Sequence, residues 1–259
     1  MKSYIKEEFR RGLISKTTFA TVIVSIMLVF GGMIEYFGWI KSGNLSVLYL
    51  FLQGYNSGTA SFLIMVFPII ACLPFAASYI SDRKSGLNKY IYIRMDKGKY
   101  RLIRFLVNGI VGGSVLLIGP LVAFIFLMIV KIFTGIPLVS GQMETVEFFR
   151  DIGVNSPILM IIIILITLFF CGFVFASFAI GVSTFIQNIY LIVLIPFIYL
   201  IISATVLTNI HGYLNAMALY DVNYHGMGFT LRIVYGIVLC VIGAVFFFIG
   251  GPKLEEKNM

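Results

Sequence analysis

Few residues in this sequence carry the chemistry of catalysis, and their placement limits what they do. His211, Asp221 and His225 lie close together, and Asp221 and His225 would share a helical face at i, i+4. Three such groups are a possible metal set. They sit in a stretch, 209–232, that is rich in aromatic and polar residues, where hydrogen bonding at a membrane interface is the ordinary role, and no metal site is assigned. Glu7 and Glu8 beside Arg10 and Arg11 supply acid and base, but at the wrong spacing for intramembrane proteolysis and with no histidine near them. There is no G-x-x-x-x-G-K-[ST] loop and no G-x-G-x-x-G turn to cradle a phosphate. Cys72, Cys171 and Cys240 fall inside apolar runs and read as small packing residues. No catalytic residue is assigned, and any energy from ATP must come from another chain.

The elements around these residues explain why chemistry is scarce. The chain has 259 residues, of which 60% are hydrophobic and 12% charged, with a mean hydropathy of +1.02. A soluble globule has about 45–50% apolar and about 25% charged residues. Too little polar surface remains to face water, so the sequence specifies an integral all-α membrane protein. The formal charge of +8 then reports on membrane orientation and anionic headgroups rather than on nucleic acid.

A hydrocarbon core of about 30 Å needs about 20 apolar helical residues. Six stretches meet this, at 17–40, 61–80, 105–130, 157–186, 188–208 and 233–252, and only the first contains a charge, Glu35. Glu35 lies near the outer end and is read as snorkelling to headgroups. Asn108 is read as an interhelical hydrogen bond. Gly109 and Gly113, and Gly236, Cys240 and Ala244, suit close helix packing. Pro68, Pro74, Pro120 and Pro196 should kink their helices. Fifteen Lys and Arg fall on the side that holds both termini, against four (Lys41, Lys131, Arg150, Arg232) on the other. That asymmetry predicts cytoplasmic N and C termini. The first 16 residues lack an apolar core and are not read as a signal peptide.

Two soluble segments are informative. Residues 1–16 are basic, with Ile5, Phe9 and Leu13 four apart. This predicts a short interfacial helix with its apolar side toward lipid, displaying Arg10. Residues 81–104 read SDRKSGLNKYIYIRMDKGKYRLIR. Asp82 is read as capping a helix start, and Gly86 permits a sharp reorientation. Leu87, Tyr90 and Ile91 then share one face of a short helix over about 86–94. That face needs something to bury against. The stretch 209–232 is expected to form short helices at the outer interface, and Gly43, Gly54 and Gly58 punctuate the first outer loop.

This arrangement resembles the type-2 permease subunits of ABC transporters, usually bacterial exporters. The likeness covers the whole chain, 1–259, as one permease domain with six transmembrane helices. In that family the hairpin between spans two and three begins with an acidic residue and a glycine four residues on. A short coupling helix and a basic-aromatic lead into span three follow. Asp82, Gly86, Leu87–Arg94, Lys99-Tyr100 and Arg104-Phe105 stand at these positions, with Asp where the family most often has Glu. The resemblance implies a second permease, identical or paralogous, and two separate ATPase subunits that carry the ATP and Mg, with no cofactor on this chain. Asp82, Gly86, Leu87, Tyr90, Ile91 and Arg94, with the N-terminal helix, would transmit ATP-driven closure. Spans two and five would line the route, which assigns Phe62, Phe67, Phe75, Ile195, Phe197 and Tyr199 to the path. These apolar residues suit an amphipathic peptide, a lipid-like molecule or a hydrophobic drug, moved outward across a bacterial cytoplasmic membrane. Bacteriocin or lantibiotic immunity permeases are of similar size. The alternative is an autonomous six-helix carrier or channel, against which stands the lack of a charged relay at the midplane.

Overall fold

A computed structural model describes residues 2–40, 45–57, 62–139, 155–222, 224 and 226–250. Among them all regular structure is helical: α1 (Lys2–Leu13), α2 (Lys16–Phe37), α3 (Val47–Leu52), α4 (Leu63–Cys72), α5 (Ser78–Lys84), α6 (Leu87–Arg94), α7 (Lys97–Thr134), α8 (Pro157–Val182), α9 (Ile189–Ile202) and α10 (Phe229–Val245). A π-helical turn, Ser203–Leu207, carries α9 on to Ile210, and another, Phe246–Gly250, extends α10. Five of these helices (α2, α7, α8, α9 and α10) are long and apolar enough to cross a membrane. The chain is thus a multi-pass membrane protein by the length and composition of its helices.

α7 and α8 form the centre. Their backbones touch because Gly112 faces Gly172. A Cβ on Gly112 would stand 2.5 Å from the Ala176 Cβ and 2.6 Å from the Ala71 carbonyl oxygen. Asn108 of α7 donates across this contact to the Ala176 carbonyl at 2.6 Å, the interhelical bond its sequence position suggested. Gly109 and Gly113 flank the contact and accommodate the Phe173 and Phe169 rings. α9 and α10 keep rows of exposed apolar side chains, including Ile198, Ile201, Val234 and Val238, as hydrocarbon-facing helices require.

The second predicted span needs correction. Residues 61–80 are not one helix: α4 stops at Cys72, residues 73–77 form a turn, and α5 begins at Ser78. Pro74 lies in that turn, where it cannot donate to a helical carbonyl. Its own carbonyl instead meets Thr17 Oγ1 at 3.5 Å. Pro68, Pro120 and Pro196 remain inside α4, α7 and α9. The third run also departs from its expected bounds. α7 begins at Lys97, eight residues before the apolar stretch, because Asp96 caps it through the Gly98 and Lys99 amides at 3.0 and 3.2 Å.

The first loop departs further from expectation. Val47–Leu52 is a helix, with Val47, Leu48, Leu50, Phe51 and Leu52 all buried. A helix that is apolar on every side is stable only inside the protein. Its entry is held by Val47 and Leu48 amides donating to the Pro137 and Leu138 carbonyls at 3.0 and 3.1 Å. A π-helical turn, Gln53–Ser57, follows and brings Tyr55 against Tyr220. These rings stack at 5.0 Å, and each hydroxyl donates to the other residue's carbonyl, Tyr220 Oη to Tyr55 O at 2.9 Å. The segment 209–222 forms two 3-10 turns, Gly212–Leu214 and Ala216–Leu219. The second docks into the core rather than lying at an interface: Ala216, Ala218 and Leu219 are buried. Arg232 of α10 braces this end through the carbonyls of Asp221, Tyr224 and Met227. Tyr220→Phe removes one hydroxyl from the Tyr55 carbonyl and is expected to cost about 1–3 kcal/mol. The apparent Tm of the purified chain in detergent checks this against Tyr213→Phe on an exposed ring, which should leave it unchanged.

Candidate functional site

The other end of the bundle is built around a buried ionic junction. α1 lies across the start of α7 with Tyr4, Glu8 and Gly12 inward, at i, i+4 and i+8. Ser15 then caps α2 through the Thr18 amide at 3.0 Å, and Thr18 Oγ1 donates back to the Gly12 carbonyl, which sets the corner between the two helices. Into the space below α1 come Asp82 from α5 and Arg104 from α7. Arg104 is 0% exposed, Glu8 2% and Asp82 3%. Arg104 Nη1 donates to Glu8 and its Nη2 to Asp82. Arg11 completes the set, donating to Asp82 Oδ1 at 2.6 Å, Asp82 Oδ2 at 3.1 Å and Glu8 Oε1 at 3.4 Å. Two carboxylates and two guanidiniums balance in charge, with Glu8, Asp82 and Arg104 buried and Arg11 closing the set from the surface, 41% exposed. The Arg104 guanidinium also lies over the rings of Phe75 at 4.9 Å and Tyr100 at 5.9 Å. Its hydrogen bonds to Asp82 raise the Arg11 pKa above its usual value, and burial, aided by Glu8, raises that of the Tyr4 phenol.

The helix expected over about 86–94 is present as Leu87–Arg94, entered through Gly86 at φ +75°, a left-handed conformation that favours glycine. Asn88 fastens it to α7 by accepting from Tyr100 Oη at 2.7 Å. The Tyr92 ring meets Tyr100 edge-on at 5.3 Å. Ile91 is half-buried against the same aromatic cluster. The remaining apolar side chains of α6 face outward: Tyr90 is 72% and Ile93 83% exposed. α1 and α6 leave a groove of about 650 Å³ between them, lined by Tyr4, Glu7, Leu87, Tyr90, Ile91, Ile93, Arg94 and Met95.

Several sequence assignments need correction here. Asp82 does not cap a helix start; it is internal to α5 and serves the junction. Leu87, Tyr90 and Ile91 do not bury together, since only Ile91 packs on the protein. Arg10 is exposed, as a displayed position is, and pairs with Glu7 at 3.9 Å; what the sequence does not mark is Arg11, one position on, which reaches the junction. The Ile5–Phe9–Leu13 stripe is not uniformly lipid-facing. Phe9 packs on Phe75, Val107 and Val111, Ile5 is half-buried, and Leu13 is exposed. Arg94 is exposed at the groove rim.

The six residues assigned to a path do not share one surface. Phe67 is buried between Tyr220, stacked at 5.0 Å, and Phe175 at 4.9 Å. Phe75 is buried beneath Arg104. Phe62 is exposed at the start of α4, and Ile195 and Phe197 are half-buried on α9. Tyr199 is tied to Tyr235 by a 2.6 Å hydroxyl bond. The two described members of the His211, Asp221 and His225 set have other partners. His211 accepts from the Tyr213 amide at 3.3 Å, Asp221 accepts from Asn56, and His225 lies outside the described residues. Among the described residues no three His, Cys, Asp or Glu side chains gather.

The sequence names Glu8 and Arg104 but does not show that they pair. The available signal was a carboxylate and a guanidinium, each adjacent to an apolar helical face, at a membrane boundary where burial demands a partner. No protein-family model, curated protein or solved structure matches the chain.

Proposed function

We propose that the chain is the membrane-spanning permease subunit of an ATP-driven exporter, moved by a separate ATPase that docks at the junction end. The observation that carries this reading is the Glu8–Arg104–Asp82–Arg11 junction. It welds α1, α5 and α7 into one block, with α6 fastened to the same block through Asn88 and Tyr100. A push on α6 is therefore delivered directly to the long helix α7. An ionic weld suits that task because its geometry is directional where an apolar contact slides. In this reading the junction end is cytoplasmic, the membrane is a bacterial cell membrane, and a second permease copy or paralogue completes the pathway. The half-exposed apolar surface of α4 and α9, with Phe62, Ile195 and Phe197, suits an amphipathic peptide, lipid-like or hydrophobic cargo. ATP and Mg bind the partner.

The test is affinity purification of the tagged chain from its native membrane in mild detergent, followed by reconstitution. The expected result is co-purification of a nucleotide-binding subunit and transport that requires ATP. Tyr90→Pro should abolish that transport while the protein still inserts, because it breaks α6 on an exposed face away from the junction. Asp82→Ala is expected to uncouple as well, but with loss of stability. Vesicles that move cargo with this chain alone and no nucleotide would instead establish an autonomous carrier.

A further inference from the structure

The last described turn of the chain ends beside the groove between α1 and α6. The π-helical turn that extends α10 carries Phe247, which meets Tyr79 edge-on at 5.0 Å and stacks on Phe105 at 6.2 Å. Phe247, Phe248, Tyr79, Tyr100 and Phe105 belong to one aromatic cluster, and Tyr4, Ile91 and Met95 pack against it. Those last three also line the groove. The end of α10 and the wall of the groove are thus parts of one packed unit. Residues 251–259, GPKLEEKNM, follow this turn and lie outside the described residues. We propose that they cover the groove as an intramolecular strap, with Leu254 as its apolar anchor.

Reach, composition and tethering favour this occupant over a lipid or a separate chain. Tyr100 lies five residues before Phe105 on α7, or roughly 7.5 Å of helix. Its ring meets those of Tyr4 and Tyr92 at 6.1 and 5.3 Å. Nine extended residues reach about 30 Å, enough to follow that path from α10 into the groove. The lining holds one acid, Glu7, and one base, Arg94, among six apolar or aromatic residues. Its complement is apolar at the centre and carries both signs. An acyl chain has neither sign, and an anionic headgroup would face Glu7. Lys253-Leu254-Glu255-Glu256-Lys257 places one large apolar side chain between charges of both signs. Tethering settles the choice between this segment and a free one. A segment joined to the protein within reach of its site is present at an effective concentration of the order of mM, so a contact too weak to hold a free peptide keeps this one seated. Tyr90 and Ile93, 72% and 83% exposed, are the surface it shields. Anything that engages α6 must then lift the strap first. The strap needs no partner chain, so it holds whether or not the protein is an exporter.

The experiment places a photoreactive benzophenone amino acid at Tyr90 of the full chain, purified in mild detergent. The adduct is mapped by mass spectrometry and sized on a denaturing gel. The expected result is a link to residues 251–259 within one chain, at monomer size. Leu254→Asp should cut that link roughly tenfold, because it removes the apolar anchor. Leu254→Ala should fall between Asp and the parent. Both changes lie outside the helices, so the fold should persist, and the elution profile checks this. A probe at Ile132, exposed at the opposite end of α7, should give no such link. A link to a second copy at dimer size, to another protein, or to lipid or detergent would each overturn the proposal. So would no link, or a link to 251–259 that Leu254→Asp leaves unchanged. ATP-dependent transport, present or absent, alters none of these outcomes.

Discussion

Arg104→Met is expected to destabilise the chain by about 3–5 kcal/mol, a drop in apparent Tm of roughly 10 °C. The reason is electrostatic and local. Glu8 and Asp82 both lean on one fully buried guanidinium. Removing it leaves two buried carboxylates facing each other, with only Arg11 to answer them. Arg104→Lys keeps the charge but loses the fork that reaches two acids at once, so it should fall between Met and the parent. The neutral triple variant Glu8→Gln, Asp82→Asn, Arg104→Met should be less damaging than Arg104→Met alone, because it buries no unpaired charge. Thermal melts of the four proteins in the same detergent decide the matter. If Arg104→Met melts with the parent, the junction does not hold α1 and α5 to α7.

Gly112→Leu is the second large effect. The new Cβ would stand 2.5 Å from the Ala176 Cβ and 2.6 Å from the Ala71 carbonyl oxygen, with the Gly172 carbonyl oxygen at 3.2 Å. Two of these three neighbours are backbone, which cannot swing aside as a side chain does, so the helices must separate. Overpacking of this kind costs about 1–3 kcal/mol when side chains can yield, and the upper end is expected here. The Asn108 bond to the Ala176 carbonyl would stretch with it. Gly38→Ala is the control: a Cβ there meets nothing within 4 Å. Size-exclusion profiles and melts should show Gly38→Ala unchanged and Gly112→Leu aggregated or strongly destabilised. A normal melt for Gly112→Leu would mean that α7 and α8 do not pack backbone to backbone.

Features set by near neighbours in the chain were legible in advance. Gly86 followed by a short amphipathic stretch marked α6 to within a residue, because the left-handed turn and the helix period are local properties. Asn108 in an apolar run had to find a partner, and found one on α8. Arg10 and Arg11 show the limit. They differ by one position, or roughly 100° around a helix, and only the rotation of α1 against α7 brings Arg11 within reach of Asp82 and leaves Arg10 with Glu7 alone. α3 is not legible in the sequence, because an apolar stretch too short to cross a bilayer reads as loop. Its entry is held by Pro137 and Leu138, and the turn that follows it by Tyr220, all distant in sequence.

Composition and apolar run length alone determined that this chain resides in a membrane, since burying so much greasy surface in water has no solution, and they located the basic segment that contains α6. Tertiary structure alone decided which charges matter. Glu8 and Arg104 are 96 residues apart, and nothing local distinguishes them from the solvated Glu7 and Lys99. They become a functional candidate only when helix packing removes them from water and leaves each as the other's remaining solvation.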